Sequence, residues 1–401
     1  MTFEAGIRRT APDDRPLPPS DPVLVERLRA RIEAHGPITF AEFMATALTD
    51  PDHGYYTTSD DRPSRTGDFL TAPELHPIFG AVLARVLDEQ WRALDRPDPF
   101  VLREDGPGSG ALAVAILDGL TSASSGLLEA LAYLPRDLDA GRESRIRDRL
   151  EAAGHGRIVE RRPPLPAVGA IVANEFLDAL PVNRLEWRGG RLLELYVGWT
   201  PDDTAADGGS FVDVAGDPST PALADRLSAE SVSMVDGQRA EICLAVDDWA
   251  ASLADTIGRG FATVIDYGRP ALDLYSPSRL AGTLRAYSGQ RAHADPFVAV
   301  GRQDLTAHVD FTAVERALQA AGWRTLGVTT QAEFLTGSGL GELLQAHQAD
   351  AALGAPDYLA LRASVMRLLD PLALGAFRVL IAGRDLPTVT TLSGLDYRLR
   401  R

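Results

Sequence analysis

The sequence contains little cysteine and no long apolar run. Its single cysteine, Cys243, excludes an internal disulfide and a multi-cysteine metal site, and it indicates a reducing compartment. The first twenty residues are rich in Pro, Asp and Arg and lack the apolar centre of a secretory signal. No uninterrupted apolar run approaches the roughly 18 residues that cross a membrane. We therefore expect a cytoplasmic protein without membrane insertion, in which residues 1–20 form a disordered tail.

Positive charge is also scarce. The 40 basic residues are outnumbered by 56 acidic ones, which gives a net charge of −16. This charge disfavours nucleic acid and anionic membranes as partners, although it allows a cationic one. The chain also lacks a Walker lysine and a nucleophile elbow with Ser, His and Asp in a catalytic order. Its 401 residues suffice for one large elaborated domain or for two domains.

A glycine-rich loop is the most informative stretch of the chain. An apolar run from residue 100 ends in Glu104, three glycines follow (Gly106, Gly108 and Gly110), and apolar residues then recur at helical spacing to residue 120. Glycines let the backbone approach a ligand closely, and the N-terminus of the following helix offers unpaired N–H groups. The form Glu-x-Gly-x-Gly-x-Gly suits S-adenosylmethionine, whose amino-acid end has no pyrophosphate. A dinucleotide site, with Ala111 at the sixth position, and an ordinary glycine-rich turn are the alternatives.

Residues 21–96 are predicted to form a helical N-terminal region. One helix spans residues 23–35, and a capping box of Thr39 and Glu42 starts a second that runs to about residue 48. A glycine-led loop then precedes a long amphipathic helix that begins near Pro73. This loop could close over a polar ligand, or it could serve only to cap the helix. Its candidate ligand-binding residues are Gly67, Asp68, Phe69 and Thr71.

From residue 97 to about 390 the pattern predicts an α/β domain. Short apolar strands alternate with helices, as in a parallel sheet. Between residues 182 and 215 the period becomes two around a Gly189-Gly190 turn, so we expect an antiparallel β insertion there. Strands of the main sheet are expected near residues 99–104, 157–160, 169–174, 260–266, 324–330 and 376–382.

A second group of polar residues follows the apolar run at 169–173. Asn174, Glu175 and Asp178 come at the carboxyl end of this predicted strand, where open α/β sheets bind ligands. Two carboxylates placed there pay a desolvation cost unless a cation or several donors meet them. Helix capping by Asn174 and Asp178 is the alternative. Farther along, His308 and Asp310 lack a third ligand in register, so we predict no metal site and a hydrogen-bonded structural histidine.

With these motifs, the chain resembles the MidA-like S-adenosylmethionine-dependent methyltransferases, whose mitochondrial members act as assembly factors for respiratory complex I. The resemblance covers about residues 30–340 in unbroken order. It rests on Asp50-Pro-x-x-Gly54-Tyr-Tyr, Gly67-Asp-Phe-x-Thr-x-Pro-Glu74, Glu104-x-Gly-Pro-Gly-x-Gly110, Asn174-Glu-Phe-x-Asp-Ala-Leu-Pro181, Asp266-Tyr-Gly268, Gly282-Thr-Leu-Arg285 and Asp304-x-Thr-Ala-His-Val-Asp-Phe311.

The resemblance implies a class I methyltransferase fold, Rossmann-like, with a mostly parallel seven-stranded sheet, helices on both faces and a helical region over the cofactor. In the mitochondrial members it implies symmetric dimethylation of an arginine. This sequence departs from the family at two positions. Ala132 aligns with the acid that binds the cofactor ribose, a loss worth on the order of 1–3 kcal/mol of binding. Gln290 stands where a histidine is common.

These observations predict a methyltransferase that uses S-adenosylmethionine and N-methylates an arginine of a protein acceptor. Glu175 and Asp178 are its candidate catalytic residues, since they could pair with the cationic acceptor. The candidate cofactor-binding residues are Gly67, Asp68, Phe69, Thr71, Glu104, Gly106, Gly108, Gly110 and Asn174. A small-molecule acceptor and a non-catalytic assembly or binding protein are the alternatives, a nicotinamide-dependent oxidoreductase is disfavoured, and a homodimer is allowed.

Overall fold

A six-stranded sheet with helices on both faces forms the centre of the protein. The computed structural model describes residues 16–58, 72–137, 140–202, 204, 207–288, 291–350, 354–387 and 391–397. The strands are β1 (Phe100–Asp105), β2 (Leu131–Arg136), β3 (Ala167–Asn174), β4 (Asn183–Arg188), β5 (Arg191–Pro201), β6 (Gly209–Gly216), β7 (Arg239–Ile242), β8 (Ile257–Asp266), β9 (Gly268–Arg269), β10 (Arg285–Ser288), β11 (Arg291–His293), β12 (Asp304–Thr306), β13 (Val309–Asp310), β14 (Arg324–Thr330) and β15 (Arg378–Arg384).

The helices cover both the N-terminal region and the faces of the sheet. They are α1 (Pro22–His35), α2 (Phe40–Thr49), α3 (Ala72–Leu75), α4 (Ile78–Ala93), α5 (Ala111–Ser122), α6 (Leu127–Ala130), α7 (Ala140–Ala152), α8 (Gly156–Glu160), α9 (Ala222–Ala229), α10 (Ala245–Thr256), α11 (Ala271–Leu274), α12 (Phe311–Ala320), α13 (Gln331–Gly337), α14 (Leu340–Ala349), α15 (Ala355–Leu369) and α16 (Ser393–Asp396). Short 3₁₀ helices span Leu177–Ala179 and Leu374–Ala376.

The main sheet has the strand order β14-β15-β8-β3-β1-β2. Strands β2, β1, β3 and β8 are parallel, whereas β15 is antiparallel to both β8 and β14. The carboxyl ends of the parallel strands therefore meet at one edge. This edge brings together Asp105, Asn174 and Asp266, the last residues of β1, β3 and β8.

The expected α/β class is confirmed, but the predicted strand at 157–160 is wrong. Those residues form helix α8, and the main sheet has six strands in the described residues instead of the implied seven. Ile158 and Val159 are buried in the same hydrophobic core as the apolar residues of α4 and α5. A short apolar run of this kind fits a buried helix as well as a strand, so periodicity alone could not distinguish them.

The long helix predicted from Pro73 is divided in two. Helix α3 ends at Leu75, and α4 begins at Ile78 after Pro77, which occupies the N-cap position. A proline inside a helix removes a backbone donor and clashes with the preceding turn, so the chain restarts there. Helix α4 then packs so closely on α5 that a Cβ on Gly80 would lie only 2.4 Å from the Cβ of Ala115. The absence of a side chain at Gly80 permits this approach.

The β insertion forms an antiparallel sheet of order β6-β5-β4-β7. The Gly189-Gly190 turn joins β4 to β5, as predicted, and both glycines have positive φ. The N-terminal helices pack on this sheet: Ile38 bridges to Val197, and the rings of Phe43 and Phe211 lie 5.3 Å apart. Thr39 caps α2 as expected, but the Glu42 carboxylate accepts a hydrogen bond from Arg31 in place of the reciprocal capping contact.

Candidate active site

The glycine-rich loop leaves β1 and enters α5 with three residues in the left-handed region. Gly106, Gly108 and Gly110 have φ of 67°, 53° and 76°, which other residues adopt only with strain. A Cβ on Gly106 would approach Cδ2 of Phe176 to 2.7 Å. The loop therefore depends on glycine both for its backbone conformation and for the space beside Phe176.

A cavity of about 460 Å³ opens above this loop. Its wall includes Glu104, Gly106 and Gly108 from the loop and Asn174, Glu175 and Asp178 from the end of β3. The two regions that the sequence singled out thus share one cavity. Further lining residues come from the N-terminal region, from helices α7 and α10, and from the ends of β2 and β12: Thr49, Tyr55, Tyr56, Pro73, Glu74, Asp137, Arg142, Trp249 and Asp304.

Among the described residues, only one of the two carboxylate oxygens of Glu175 has hydrogen-bond partners. Its Oε1 accepts hydrogen bonds from the N–H of Ala72 at 3.0 Å and from the side-chain amide of Asn174 at 3.4 Å. Its Oε2 is buried and has no hydrogen-bond partner among the described residues. Burial is the main cause that raises the pKa of Glu175 to about 8. The residue has a positive φ of 49°, a conformation that a non-glycine residue keeps only when its surroundings impose it.

Asp178 lies beside Glu175 in the same cavity and has a fixed orientation. The Tyr267 hydroxyl donates to its Oδ2 at 2.5 Å. Burial raises the pKa of Asp178 to about 6, and the bond from Tyr267 acts in the opposite direction. Below this pair, Asp266 accepts the backbone N–H groups of Phe176, Leu177 and Asp178, at 3.2, 3.0 and 3.3 Å. The carboxyl end of β8 therefore fixes the short turn that presents Asp178.

Glu104, at the carboxyl end of β1, is buried and has one partner. The hydroxyl of Tyr133 on β2 donates to its Oε2 at 2.7 Å. Burial is again the main cause that raises the pKa of Glu104, to about 7. Its neighbour Asp105 pairs with Arg103 at 2.7 Å and accepts the indole N–H of Trp249 at 2.9 Å. Glu104 and Asp105, although consecutive, therefore have different hydrogen-bond partners.

Ala132, which the sequence aligned with a ribose-binding acid, is not among the residues that line the cavity. Ala132 is paired with Val101 in the middle of β2 and buried in the core. The strand continues to Arg136, and the next residue, Asp137, lines the cavity. Arg142 pairs with Asp137 at 3.2 Å. An acid is thus present at the end of β2, five positions beyond the residue assigned to it from the sequence.

Two further cavity residues, Tyr56 and Asp304, were not singled out as site residues by the sequence. The Tyr56 hydroxyl donates to Oδ1 of Asp304 at 2.7 Å across 248 positions of the chain. The backbone oxygen of Tyr56 accepts from Arg142, the partner of Asp137. Both residues belong to motifs already evident in the sequence, 50–56 and 304–311. Membership in these motifs was the signal that could have identified them as site residues. Their pairing depends on long-range packing and has no local pattern.

Three buried polar oxygens in the cavity wall have no partner among the described residues. They are Oδ1 of Asn174, Oε2 of Glu175 and Oε2 of Glu74. Burial raises the pKa of Glu74 to about 7. Unsatisfied buried acceptors are rare in folded proteins, and here they face a cavity large enough for a nucleotide-sized ligand with donor groups.

Part of the predicted site cannot be placed. The candidate residues Gly67, Asp68, Phe69 and Thr71 lie outside the described residues, as does Gln290. Of that loop's motif, only Ala72, Pro73 and Glu74 are described, and these three reach the cavity wall or Glu175.

His308 has a structural environment. Its backbone N–H donates to Thr283, and its ring packs edge-on against Tyr267 at 5.2 Å. Burial, followed by the nearby arginines, lowers its pKa to about 4. Asp310 caps α12 through Oδ1. Within the described ranges, no group of three or more His, Cys, Asp or Glu side chains is arranged to hold a metal ion.

A glycine-cradled cavity at the carboxyl ends of β1, β2 and β3, with a final antiparallel strand, defines a class I methyltransferase fold. A family model described as a putative S-adenosyl-L-methionine-dependent methyltransferase matches residues 82–329. The match covers more than half of the chain, so the protein belongs to this family and its cofactor is S-adenosylmethionine.

Similar proteins support this assignment. The mitochondrial protein arginine methyltransferase NDUFAF7 homolog of Drosophila melanogaster is 33% identical over 326 residues, which cover 75% of this chain and 70% of the fly protein. Human mitochondrial protein arginine methyltransferase NDUFAF7 is 28% identical over 356 residues, 82% of this chain and 75% of its own. A Burkholderia thailandensis protein, crystallised with S-adenosyl-homocysteine, matches with a TM-score of 0.83 and 31% identity over 94% of this chain and 97% of that one.

These relatives correct one expectation. The prediction of a cytoplasmic location is wrong, because the fly, zebrafish and human relatives are all named as mitochondrial. Among the described residues, no helix combines the length and apolar character needed to cross a membrane.

Proposed function

We propose that this methyltransferase transfers the methyl group to an arginine side chain of a protein. The observation that carries this proposal is Oε2 of Glu175, which is buried beside Asp178 without a partner among the described residues, in a cavity shared with the glycine loop. A guanidinium is planar and permanently charged, and it pairs well with carboxylates. The fly and human relatives are named protein arginine methyltransferases, which supports the same acceptor.

For the cofactor, we propose that Gly106, Gly108 and Gly110 contact its methionine part. Glu104 would accept hydrogen bonds from its amino group, as would Oδ1 of Asn174, which has no partner in the described part of the chain. Asp137 at the end of β2 would accept bonds from the ribose hydroxyls, the role that the sequence could not assign. Gly67, Asp68, Phe69 and Thr71 keep their proposed role of closing the site. We further propose that residues 21–96 cover the cofactor and residues 97–390 form the methyltransferase domain, since Tyr56, Pro73 and Glu74 line the cavity.

The bound cofactor supplies a methyl group on a positively charged sulfur, which leaves with the electron pair of the broken carbon–sulfur bond. The protein mainly aligns the acceptor nitrogen with this methyl group and excludes water. Glu175 and Asp178 would pair with two guanidinium nitrogens, so that the third nitrogen presents its lone pair to the methyl group. The new carbon–nitrogen bond requires the loss of one proton from the nitrogen, and Oε2 of Glu175 would accept it. The pKa of Glu175, about 8, lies near the operating pH, and a bound cationic guanidinium would favour the ionised carboxylate that a general base requires.

The non-catalytic alternative was motivated by Ala132, which stands where an acid was expected. The proposed ribose contact of Asp137 supplies such an acid, so this alternative loses its support. The net charge of −16 supports a cationic partner and opposes nucleic acid. A homodimer also remains a proposal. It is supported by the exposed Leu359 and Met366 on helix α15, and sedimentation equilibrium would test it.

The proposal is tested by incubating the protein with a methyl-labelled cofactor and whole-cell lysate, then locating the label by mass spectrometry. We expect it on arginine side chains of protein. The Glu175→Gln variant should lose transfer while calorimetry with S-adenosyl-homocysteine still shows near-normal binding. Glu33→Gln, at an exposed position on α1, is the matched control and should behave as wild type. Label that appears only in metabolites, or unchanged turnover of Glu175→Gln, would contradict the proposal.

A further inference from the structure

Three arginines form a positively charged cluster around His308. We call Arg269, Arg279 and Arg285 the arginine patch. Arg269 lies on β9, which pairs with β13 next to His308, and Arg285 begins β10 two residues after Thr283, whose hydroxyl accepts the His308 N–H. All three charges act on this one imidazole, whose pKa burial and these arginines lower to about 4.

The arginine patch brings three positive charges close to one imidazole on a strongly acidic protein. Arg269 is exposed, and Arg279 and Arg285 are half-buried. Asp273 acts on Arg279, but burial and Arg269 dominate and lower the Arg279 pKa. The nearby Glu241 is engaged with the N–H and the hydroxyl of Thr283. Like charges held together repel one another, so such a cluster favours the binding of an anion.

The patch lies close to the proposed acceptor site. Tyr267 connects the two, because its hydroxyl donates to Asp178 and its ring packs against His308 at 5.2 Å. One tyrosine and one imidazole therefore separate Asp178 from the patch. One tyrosine and one imidazole together span on the order of 10 Å. An extended peptide advances about 3.3 Å per residue, so this span corresponds to about three to four residues.

We propose that the arginine patch is a docking surface for acidic side chains of the acceptor protein, located about three to four residues from the target arginine. This inference rests on the proposed function and adds a sequence preference to it. The carboxylates of the cavity select the target arginine, and the positively charged arginine patch selects acidic residues near it in the acceptor sequence. Bidentate pairing with carboxylates is the interaction for which guanidinium groups are best suited.

The test measures the binding of short fluorescent peptides by anisotropy in the presence of S-adenosyl-homocysteine. Each peptide has one central arginine, with two glutamates three and four positions away on either its N-terminal or its C-terminal side. The comparison peptides carry glutamine at the same positions. We expect wild type to bind one of the glutamate peptides about tenfold more tightly than its glutamine counterpart.

Arg269→Glu/Arg279→Glu should abolish this preference, and Arg269→Ala/Arg279→Ala should reduce it. Arg324→Glu/Arg362→Glu is the matched control, because it changes the net charge equally at exposed positions on β14 and α15, away from the cavity. A preference that survives in the patch variant, or that wild type never shows, overturns the proposal. Binding is read without turnover, so patch-dependent binding with no arginine methylation would refute the proposed function alone. Methylation that ignores the patch would refute only the docking surface.

Discussion

The backbone N–H of Ala72 donates a 3.0 Å hydrogen bond to Oε1 of Glu175, 103 positions farther along the chain. This bond joins the helical N-terminal region directly to the end of β3. It orients the carboxylate while Oε2 stays buried without a partner among the described residues. An acid kept in this environment favours its protonated form, and this preference links the proposed chemistry to the stability of the fold.

The first prediction concerns that linkage. The folded-state pKa of Glu175, about 8, lies above its ordinary value of 4.5, so the folded protein binds this proton more tightly than the unfolded chain. The resulting stability is full below about pH 4.5 and is lost as pH rises through about 8. Glu175→Gln has no such loss, so its melting temperature should exceed that of wild type by more at pH 9 than at pH 5. Calorimetry of the cofactor-free proteins measures this, and an equal difference at both pH values would refute it.

The second prediction compares two glycines with similar backbone conformations. Gly106 and Gly189 have φ of 67° and 57°, so alanine at either position costs roughly 1–2 kcal/mol of backbone strain. Only at Gly106 would the added Cβ also collide, with Phe176 at 2.7 Å, whereas Gly189 faces open space. Gly106→Ala should therefore lose at least tenfold in affinity for S-adenosyl-homocysteine, and Gly189→Ala should lose only stability. Calorimetric titration and thermal melts distinguish the two, and equal affinities would contradict the assignment of the loop.

The parts of the site that the sequence predicted are those encoded by local pattern. The glycine loop and the group of Asn174, Glu175 and Asp178 each follow an apolar run, and parallel strands bring such ends to one edge of the sheet. The shared cavity follows from that rule. Most strands of the main sheet were also recognisable as apolar runs, although β2 was not among those predicted.

What the sequence could not supply depends on register and on distant contacts. Strand β2 was not among the predicted strands, and Ala132 was aligned with the expected acid although the strand continues through Pro135 to Arg136, so Asp137 was not considered. The bond between Tyr56 and Asp304 spans 248 positions, so no window of sequence contains both residues. Residues 157–160 were predicted as a strand but form a helix. Two adjacent buried side chains fit either pattern, so the sequence could not distinguish them.

The third prediction tests Asp137 as the ribose acceptor. Asp137→Asn keeps the shape of the side chain and removes its charge, so the bonds to two ribose hydroxyls should weaken. A loss of about 1–3 kcal/mol corresponds to roughly 5- to 150-fold weaker binding of S-adenosyl-homocysteine. Asp118→Asn, at an acid on α5 that contacts His155, is the control and should leave affinity unchanged. Wild-type affinity in Asp137→Asn would exclude this acid from the cofactor site.

The last prediction concerns Tyr267, which we regard as a positioning residue for Asp178. Its hydroxyl bond lowers the pKa of Asp178 against the effect of burial, so Tyr267→Phe should raise that pKa from about 6. Pairing with a cationic acceptor requires both carboxylates to be ionised, so kcat/KM should rise with pH in two steps: an acid limb near 6 from Asp178 and a second step near 8 from Glu175. In the variant the acid limb should move upward by on the order of one unit, and the rate should recover at higher pH. Tyr196→Phe, which removes a hydroxyl bond to the backbone oxygen of the exposed Asp217, is the control. A rate reduced equally at every pH would instead indicate that Tyr267 acts only through packing.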